Sequence, residues 1–174
     1  MYYKTSYKSP IGLITLASDG KNIIGLWLKD QKYYGGSIAN DMTDKDDLSV
    51  FSATKNWLDR YFNDEKPNIA KLPLAPIGRD FQKAVWHILC EIPYGEYITY
   101  GDIAKKIAVD MNKTSMSAQA VGGAVGHNPI SIIIPCHRVV GSNGSLTGYA
   151  GGIDKKIKLL QHEGVDMSLL HIPA

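Results

Sequence analysis

The sequence predicts a mixed α/β (α+β) protein, with a small antiparallel sheet and a packed helix first, then a mainly helical part with a short sheet. Three observations point there. Alternating apolar residues between turn signals fill the first segment, helical spacings dominate after Asp80, and a stretch carrying Pro67, Pro73 and Pro76 separates the two.

Taken in order, Ser9-Pro10 is a turn signal, after which Ile11, Leu13 and Thr15 alternate with Gly12, Ile14 and Leu16. Ser18-Asp19-Gly20 resembles a hairpin turn and leads into a second strand over 21–28. From Asp46 to Phe62, the residues Leu48, Phe51, Trp57, Leu58, Tyr61 and Phe62 fall mostly on one helical face, with Asp46 and Asp47 near the positive end of the helix dipole. Residues 63–78 hold too many prolines for a helix, so the expected domains are 1–76 and 77–174.

Asp80 suits a helix N-cap, and Phe81, Val85, Ile88 and Leu89 then recur at helical spacing as far as Ile92-Pro93-Tyr94-Gly95. Thr99-Tyr100-Gly101-Asp102 has the form of a capping box opening a helix through Ile103, Ala104 and Ile107, and a further helix begins near Ser117. Two short helices separated by a turn suggest a helix-turn-helix. The second contains Gly122 and Gly123, each costing about 1 kcal/mol relative to alanine. Their small size permits close approach, either to a DNA minor groove or to a tightly packed core.

The chain has 174 residues and a net charge of +2, spread almost evenly over its halves, so no global basic field advertises nucleic acid. Phosphate contacts would have to come from a local patch, with Lys105, Lys106, Lys113 and Arg138 as candidates. The two cysteines, Cys90 and Cys136, lack metal-ligand spacing, and the first histidine is His87. No zinc site and no cofactor are expected. Neither a signal peptide nor a long apolar run is present, which fits a cytoplasmic protein with no membrane partner. Cys90 and the tryptophans Trp27, Trp57 and Trp86 read as core.

Chemistry concentrates in Ile134-Pro135-Cys136-His137-Arg138-Val139. Pro135 is expected to stop a strand over Ile130–Ile134 and present Cys136 at its end, where His137 or Arg138 would favour the thiolate. Consecutive extended residues point to opposite sides, so His137 would reach the sulfur through a water or a turn, unlike a thiol protease. Glu163 precedes the Gly164 cap, where a carboxylate is electrostatically disfavoured, and this placement hints at a task.

The Cys136 stretch combines with Ala120-Val121-Gly122-Gly123-Ala124-Val125, Asn128-Pro129, Gly148-Tyr149-Ala150-Gly151-Gly152 and the helix ending in Gln161-His162-Glu163-Gly164. From Phe81 to Gly164 this order of motifs resembles the O6-alkylguanine-DNA alkyltransferase family, the methylated-DNA-protein cysteine methyltransferases, while the N-terminal half is similar only loosely. The resemblance implies DNA repair by direct reversal. The second helix would enter the minor groove, the damaged guanine would flip out, and Cys136 would take the alkyl group from its O6 irreversibly, once per protein molecule. The implied partner is double-stranded DNA containing O6-alkylguanine, bound by a monomer without a cofactor.

By the same resemblance, His137 would deprotonate Cys136 through a water, Glu163 would orient the imidazole, and Asn128 would fix the turn. Tyr100 would donate to the flipped base and Tyr149 would wall the pocket, with the amides of Ala150 and Gly151 near the departing O6. The carbonyls of Cys136 and Val139 would select guanine, while Gln119, Ala120, Gly122, Gly123 and Arg138 would face DNA. Two departures stand out: Gln119 replaces the family's usual intercalating arginine, and the turn over Val109–Met116 is longer than usual. Glutamine predicts retained flipping with weaker DNA affinity. The competing functions are a lesion-recognition module of the alkyltransferase-like kind, whose members lack the cysteine, and a thiol hydrolase or redox protein.

Overall fold

The computed structural model describes residues 1–173. Its contacts divide the chain into two compact units, Met1–Ile77 with Pro129–Ile133, and Gly78–Asn128 with the residues from Ile134 onward.

In the first unit, β1 (Tyr2–Ser9), β2 (Gly12–Ser18) and β3 (Ile23–Leu28) form antiparallel neighbours, and the short β4 (Met42–Asp44) adds parallel to β1. The sheet is therefore mixed, in the order β3-β2-β1-β4. Sequence reading had supplied neither β1 nor β4, since Tyr2–Ser9 is rich in lysine and serine and lacks a clean apolar alternation. Helix α1 (Ser49–Phe62) contacts β1, β2 and β3 and buries Phe51, Leu58 and Tyr61. Trp27 joins Ala17, Ile24 and Ile38 in an apolar cluster.

All six residues of β3 are buried, because two short strips cover its outer edge. Ile23 exchanges backbone bonds with Pro73 and Ala75, of 2.7 and 2.8 Å. Leu26 does the same with Pro129 and Ser131, of 2.8 and 3.0 Å, while the buried Gln31 accepts from Ser131 Oγ and Leu28 N. The expected strand over Ile130–Ile134 is absent. Only Ile130 bridges to Leu26, and the chain then turns through Ile132, whose φ of 69° is a left-handed conformation that strains a β-branched residue. Ser131 N still donates to Leu26, but Ile133 N turns back onto the Ser131 carbonyl at 2.8 Å, which ends the ladder.

The second unit opens with α2 (Asp80–Leu89), whose N-cap is Arg79 rather than Asp80; Asp80 lies in the first turn, still favourable to the dipole. Helix α3 (Tyr100–Asp110) carries the expected capping box, with reciprocal bonds of 3.0 Å between Thr99 and Asp102. Helix α4 (Ala118–Gly126) is capped by Ser117 Oγ, which accepts from the amides of Gln119 and Ala120. Trp86 Nε1 donates to the Ala124 carbonyl at 2.8 Å and ties α2 to α4.

The parallel pair β5 (Ile98–Thr99) and β6 (Val139–Val140) places the start of α3 beside the chain leaving Cys136. Helix α5 (Ile153–His162) buries Leu160 with Val140, Leu146 and Val165. Beyond it, His171 donates to the Gly144 carbonyl and accepts from the Leu146 amide, so the C-terminal segment pairs with the 141–148 loop. Gly144 admits that pairing: its φ is 86°, and a Cβ there would lie 2.0 Å from the Leu169 carbonyl oxygen. No helix among the described residues is long and apolar enough to cross a membrane.

Candidate active site

Cys136 opens a 3-10 turn, Cys136–Arg138, that follows Pro135 directly. The expected extended geometry is replaced by this tight turn. Cys136 N donates to the Ile134 carbonyl at 2.8 Å, Arg138 N donates to the Pro135 carbonyl at 3.0 Å, and Val139 N donates to the Cys136 carbonyl. Asn128, also buried, donates its Nδ2 to the same Ile134 carbonyl at 2.8 Å. Two donors thus converge on one oxygen just ahead of the thiol, and Cys136 itself is only 5% exposed.

His137 is fully buried, and its Nε2 lies 2.6 Å from Glu163 Oε2. The neutral imidazole that donates through Nε2 carries its basic lone pair on Nδ1, and Nδ1 has no hydrogen-bond partner among the described residues. Burial lowers the His137 pKa against the opposing pull of Glu163, which keeps the ring neutral and able to accept a proton. Glu163 resists burial through its bonds to His137 and Arg138, which hold its pKa well below the ordinary 4.5.

Arg138 is where expectation and structure part. In place of a DNA contact, its side chain is buried: Nε donates to Glu163 Oε1 at 2.8 Å, Nη2 to Oε2 at 3.1 Å, and Nη1 to the Ile92 carbonyl at 2.6 Å. The guanidinium also lies 5.7 Å from the centre of the Tyr94 ring. A planar fork matches a carboxylate bidentately, so the anion of Glu163 claims this residue ahead of solvent or phosphate. The Gly95 amide also donates to Glu163 Oε1, at 3.2 Å.

Tyr100, first residue of α3, donates its hydroxyl to the Thr147 carbonyl at 3.0 Å. Its ring runs past Gly122 of α4 and its hydroxyl beside Gly148; a Cβ at Gly148 would lie 2.8 Å from that oxygen. Burial, and then the nearby Cys136 charge, push the phenol up to about 12. The Val139 carbonyl, expected to face the base, accepts from Lys156 Nζ and retains one lone pair. Tyr149 and Gly152 close a turn through a 3.0 Å backbone bond, with half-buried Ala150 and Gly151 at its tip.

On α4, Gln119, Ala120 and Gly123 are exposed and Gly122 is half-buried, whereas Val121, Ala124 and Val125 point inward. Beyond Gly123 the space is open. The glycines therefore leave a low surface on the outer face of the second helix. Lys106 is bonded to Glu91, and Lys105 and Lys113 are exposed.

Sequence reading passed over Lys156, which is fully buried on α5 and also bonds the Thr147 carbonyl at 3.1 Å. Its position was visible in principle: Ile153, Leu159 and Leu160 stand three or four residues away, on the apolar face of the helix.

Residues 80–165 match the 6-O-methylguanine DNA methyltransferase, DNA binding domain. Residues 1–76 match the 6-O-methylguanine DNA methyltransferase, ribonuclease-like domain. The chain belongs to the 6-O-methylguanine DNA methyltransferase family. Among relatives in that family, a methylated-DNA–protein-cysteine methyltransferase of Methanosarcina mazei is 47% identical over 164 residues, covering 94% of this chain and 97% of that protein. One of Haemophilus influenzae, of the same name, is 43% identical and covers 94% and 87%. The crystal structure of Mycobacterium tuberculosis O6-methylguanine methyltransferase superposes with a TM-score of 0.79 at 41% identity, covering 94% of this chain and 93% of that one. The Mycobacterium tuberculosis protein OGT in complex with DNA gives 0.78 at 41% identity, with 93% and 91% covered.

Proposed function

We propose that this protein repairs DNA by direct reversal, taking the alkyl group of O6-alkylguanine onto Cys136 in a single irreversible turnover, and that residues 77–174 carry the chemistry. The observation that carries this reading is the buried Cys136 turn, fixed by Asn128, next to a neutral histidine whose Nε2 is held by an anionic Glu163.

In the reaction, His137 Nδ1 takes the thiol proton through a bridging water. The sulfur attacks the alkyl carbon, a thioether bond forms, and the carbon–oxygen bond breaks with its electron pair going to O6. The proton lost by the thiol balances the one that guanine regains at N1. A thioether is a poor leaving group, so the protein ends alkylated. Flipping the base from double-stranded DNA brings O6 to the sulfur, with Gln119, Ala120, Gly122 and Gly123 facing the minor groove. Tyr100 turns its one hydroxyl proton from the Thr147 carbonyl to the base as the guanine enters, Tyr149 covers its face, and the amides of Ala150 and Gly151 stabilise the developing charge on O6. The acceptor must be a free thiol, which suits a monomer working in the reducing cytoplasm.

Intact-mass and peptide mapping after incubation with a duplex carrying one O6-methylguanine tests the reading. One added methyl on Cys136, saturating at one per protein, is expected. Lesion-selective binding with no adduct would replace alkyl transfer by recognition alone.

A further inference from the structure

Lys156 has no part in that scheme, yet it is among the largest fully buried side chains of the protein. Burying an ammonium is costly unless donors meet acceptors, and its partners here are two backbone carbonyls, Val139 and Thr147, rather than a carboxylate. Both carbonyls belong to the reaction site. Val139 ends the Cys136 turn, and Thr147 is the residue on which the Tyr100 hydroxyl rests at 3.0 Å. One ammonium therefore ties β6 to the 141–148 loop and, through the Thr147 carbonyl, reaches the Tyr100 hydroxyl at the start of α3.

We infer that Lys156 is a positioning residue of the alkyl-transfer site, whose charged ammonium holds the Thr147 carbonyl, and through it Tyr100, in register with the Cys136 turn. The inference rests on the proposed alkyl-transfer reading. A neutral amine donates more weakly and no longer attracts two carbonyl dipoles, so loss of the proton loosens the link. The titratable groups that Lys156 faces are Cys136 and His137 from the 3-10 turn and, across the Thr147 carbonyl, Tyr100 from α3. On its own helix, Asp154 and Lys158 are exposed and Lys155 is half-buried. Burial brings the ammonium down to about 8, against the support of the Cys136 thiolate, so the link lies within reach of mild alkali.

Thiol ionisation and the Lys156 link predict opposite alkaline behaviour, and the wild-type protein separates them. The single-turnover rate constant at saturating O6-methylguanine duplex is measured from pH 6.5 to 9.5. At each pH, the rate of Cys136 modification by iodoacetamide and the circular dichroism are recorded. The expected result is a transfer rate that falls at least fivefold between pH 7.5 and 9.5 while the iodoacetamide rate rises and the fold is retained. Lys156→Met is expected to lose at least tenfold in transfer rate at pH 7.5 and to lack the alkaline fall. In that background, Tyr100→Phe is expected to cost less than the same substitution costs in the wild type, because the share of its effect that comes from anchoring is already lost.

A wild-type transfer rate that is level or rising up to pH 9.5 overturns the inference, whether or not Lys156→Met folds. Multiplicative effects of the two substitutions also overturn it. Absence of methyl transfer at every pH, with Cys136 still alkylated by iodoacetamide, overturns the reading of the site itself and the role of Lys156 with it.

Discussion

Replacing Arg138 by methionine tests whether the His137–Glu163–Arg138 cluster works as one unit. The substitution keeps much of the buried hydrocarbon but removes three donors: two on Glu163, at 2.8 and 3.1 Å, and one on the Ile92 carbonyl at 2.6 Å. Glu163 has a fully buried side chain and would keep the His137 ring and the Gly95 amide but lose its guanidinium. Breaking a buried ion pair from one side costs about 3–5 kcal/mol, because the remaining charge is stranded. In a chain of this size each kcal/mol lowers Tm by about 2–4 °C, so a fall of roughly 6–20 °C is expected. The assay is thermal unfolding at pH 7.5, in parallel with Glu163→Gln and the double variant. Removing both charges leaves no stranded anion, so the double variant is expected to be at least ~1.5 kcal/mol more stable than the sum of the single losses predicts. An Arg138→Met loss below about 1 kcal/mol, or strict additivity, would refute the assignment of Arg138 as the counter-charge of Glu163.

Four further outcomes are expected. Because the folded-state pKa of Glu163 lies below its ordinary 4.5, its contribution to stability is present above that value and is lost as pH falls further; Glu163→Gln should show less acid-induced loss of Tm below pH 4.5 than the wild type. Asn128→Ala removes one of two donors on the buried Ile134 carbonyl, and should cost about 1–2 kcal/mol in denaturant unfolding and slow methylation of Cys136. Gly148→Ala forces a side chain onto a residue at φ 83° and against the Tyr100 hydroxyl, and single-turnover kinetics should show a slower transfer rate. Gln119→Arg adds one cation on the exposed face of α4, so duplex binding should tighten and the slope of log K against log salt should steepen by about 0.9, readable by fluorescence anisotropy.

The sequence made the helices legible where capping and periodicity agreed: Thr99 with Asp102, Ser117 before α4, and Ile92-Pro93 after α2. Strands were less visible. β1 is a strand despite its lysines and serines because its backbone pairs with β2 over residues 3–9 and with β4 over residues 2–4, which a linear pattern does not record. The five residues before Pro135 looked like a strand because apolar runs serve equally well for any buried backbone, and only the positive φ of Ile132 reveals the turn. In the site, Cys136, His137, Asn128 and Glu163 could be singled out by residue type and motif order. Arg138 reads as a surface cation until its partners are known, and Lys156 shows itself in the sequence only as a lysine on the apolar face of its helix, with no sign of what it bonds. Those partners, the Glu163 carboxylate and the Val139 and Thr147 carbonyls, are remote in sequence and meet only after folding.

The Pro129–Ile133 strip seals the edge of β3 although its chain neighbours on both sides belong to the second unit. A proteolytic or recombinant fragment beginning at Gly78 would therefore carry an orphaned apolar ribbon, Ile130, Ile132 and Ile133, with no strand to receive it. Such a fragment should be sticky, and it should bind a separately made Met1–Ile77 piece by restoring the Leu26 ladder. During synthesis the same stitch delays closure: the Leu26 end of the β3 edge waits bare until the ribosome has released residue 133, and Cys136, three residues further on, emerges later still.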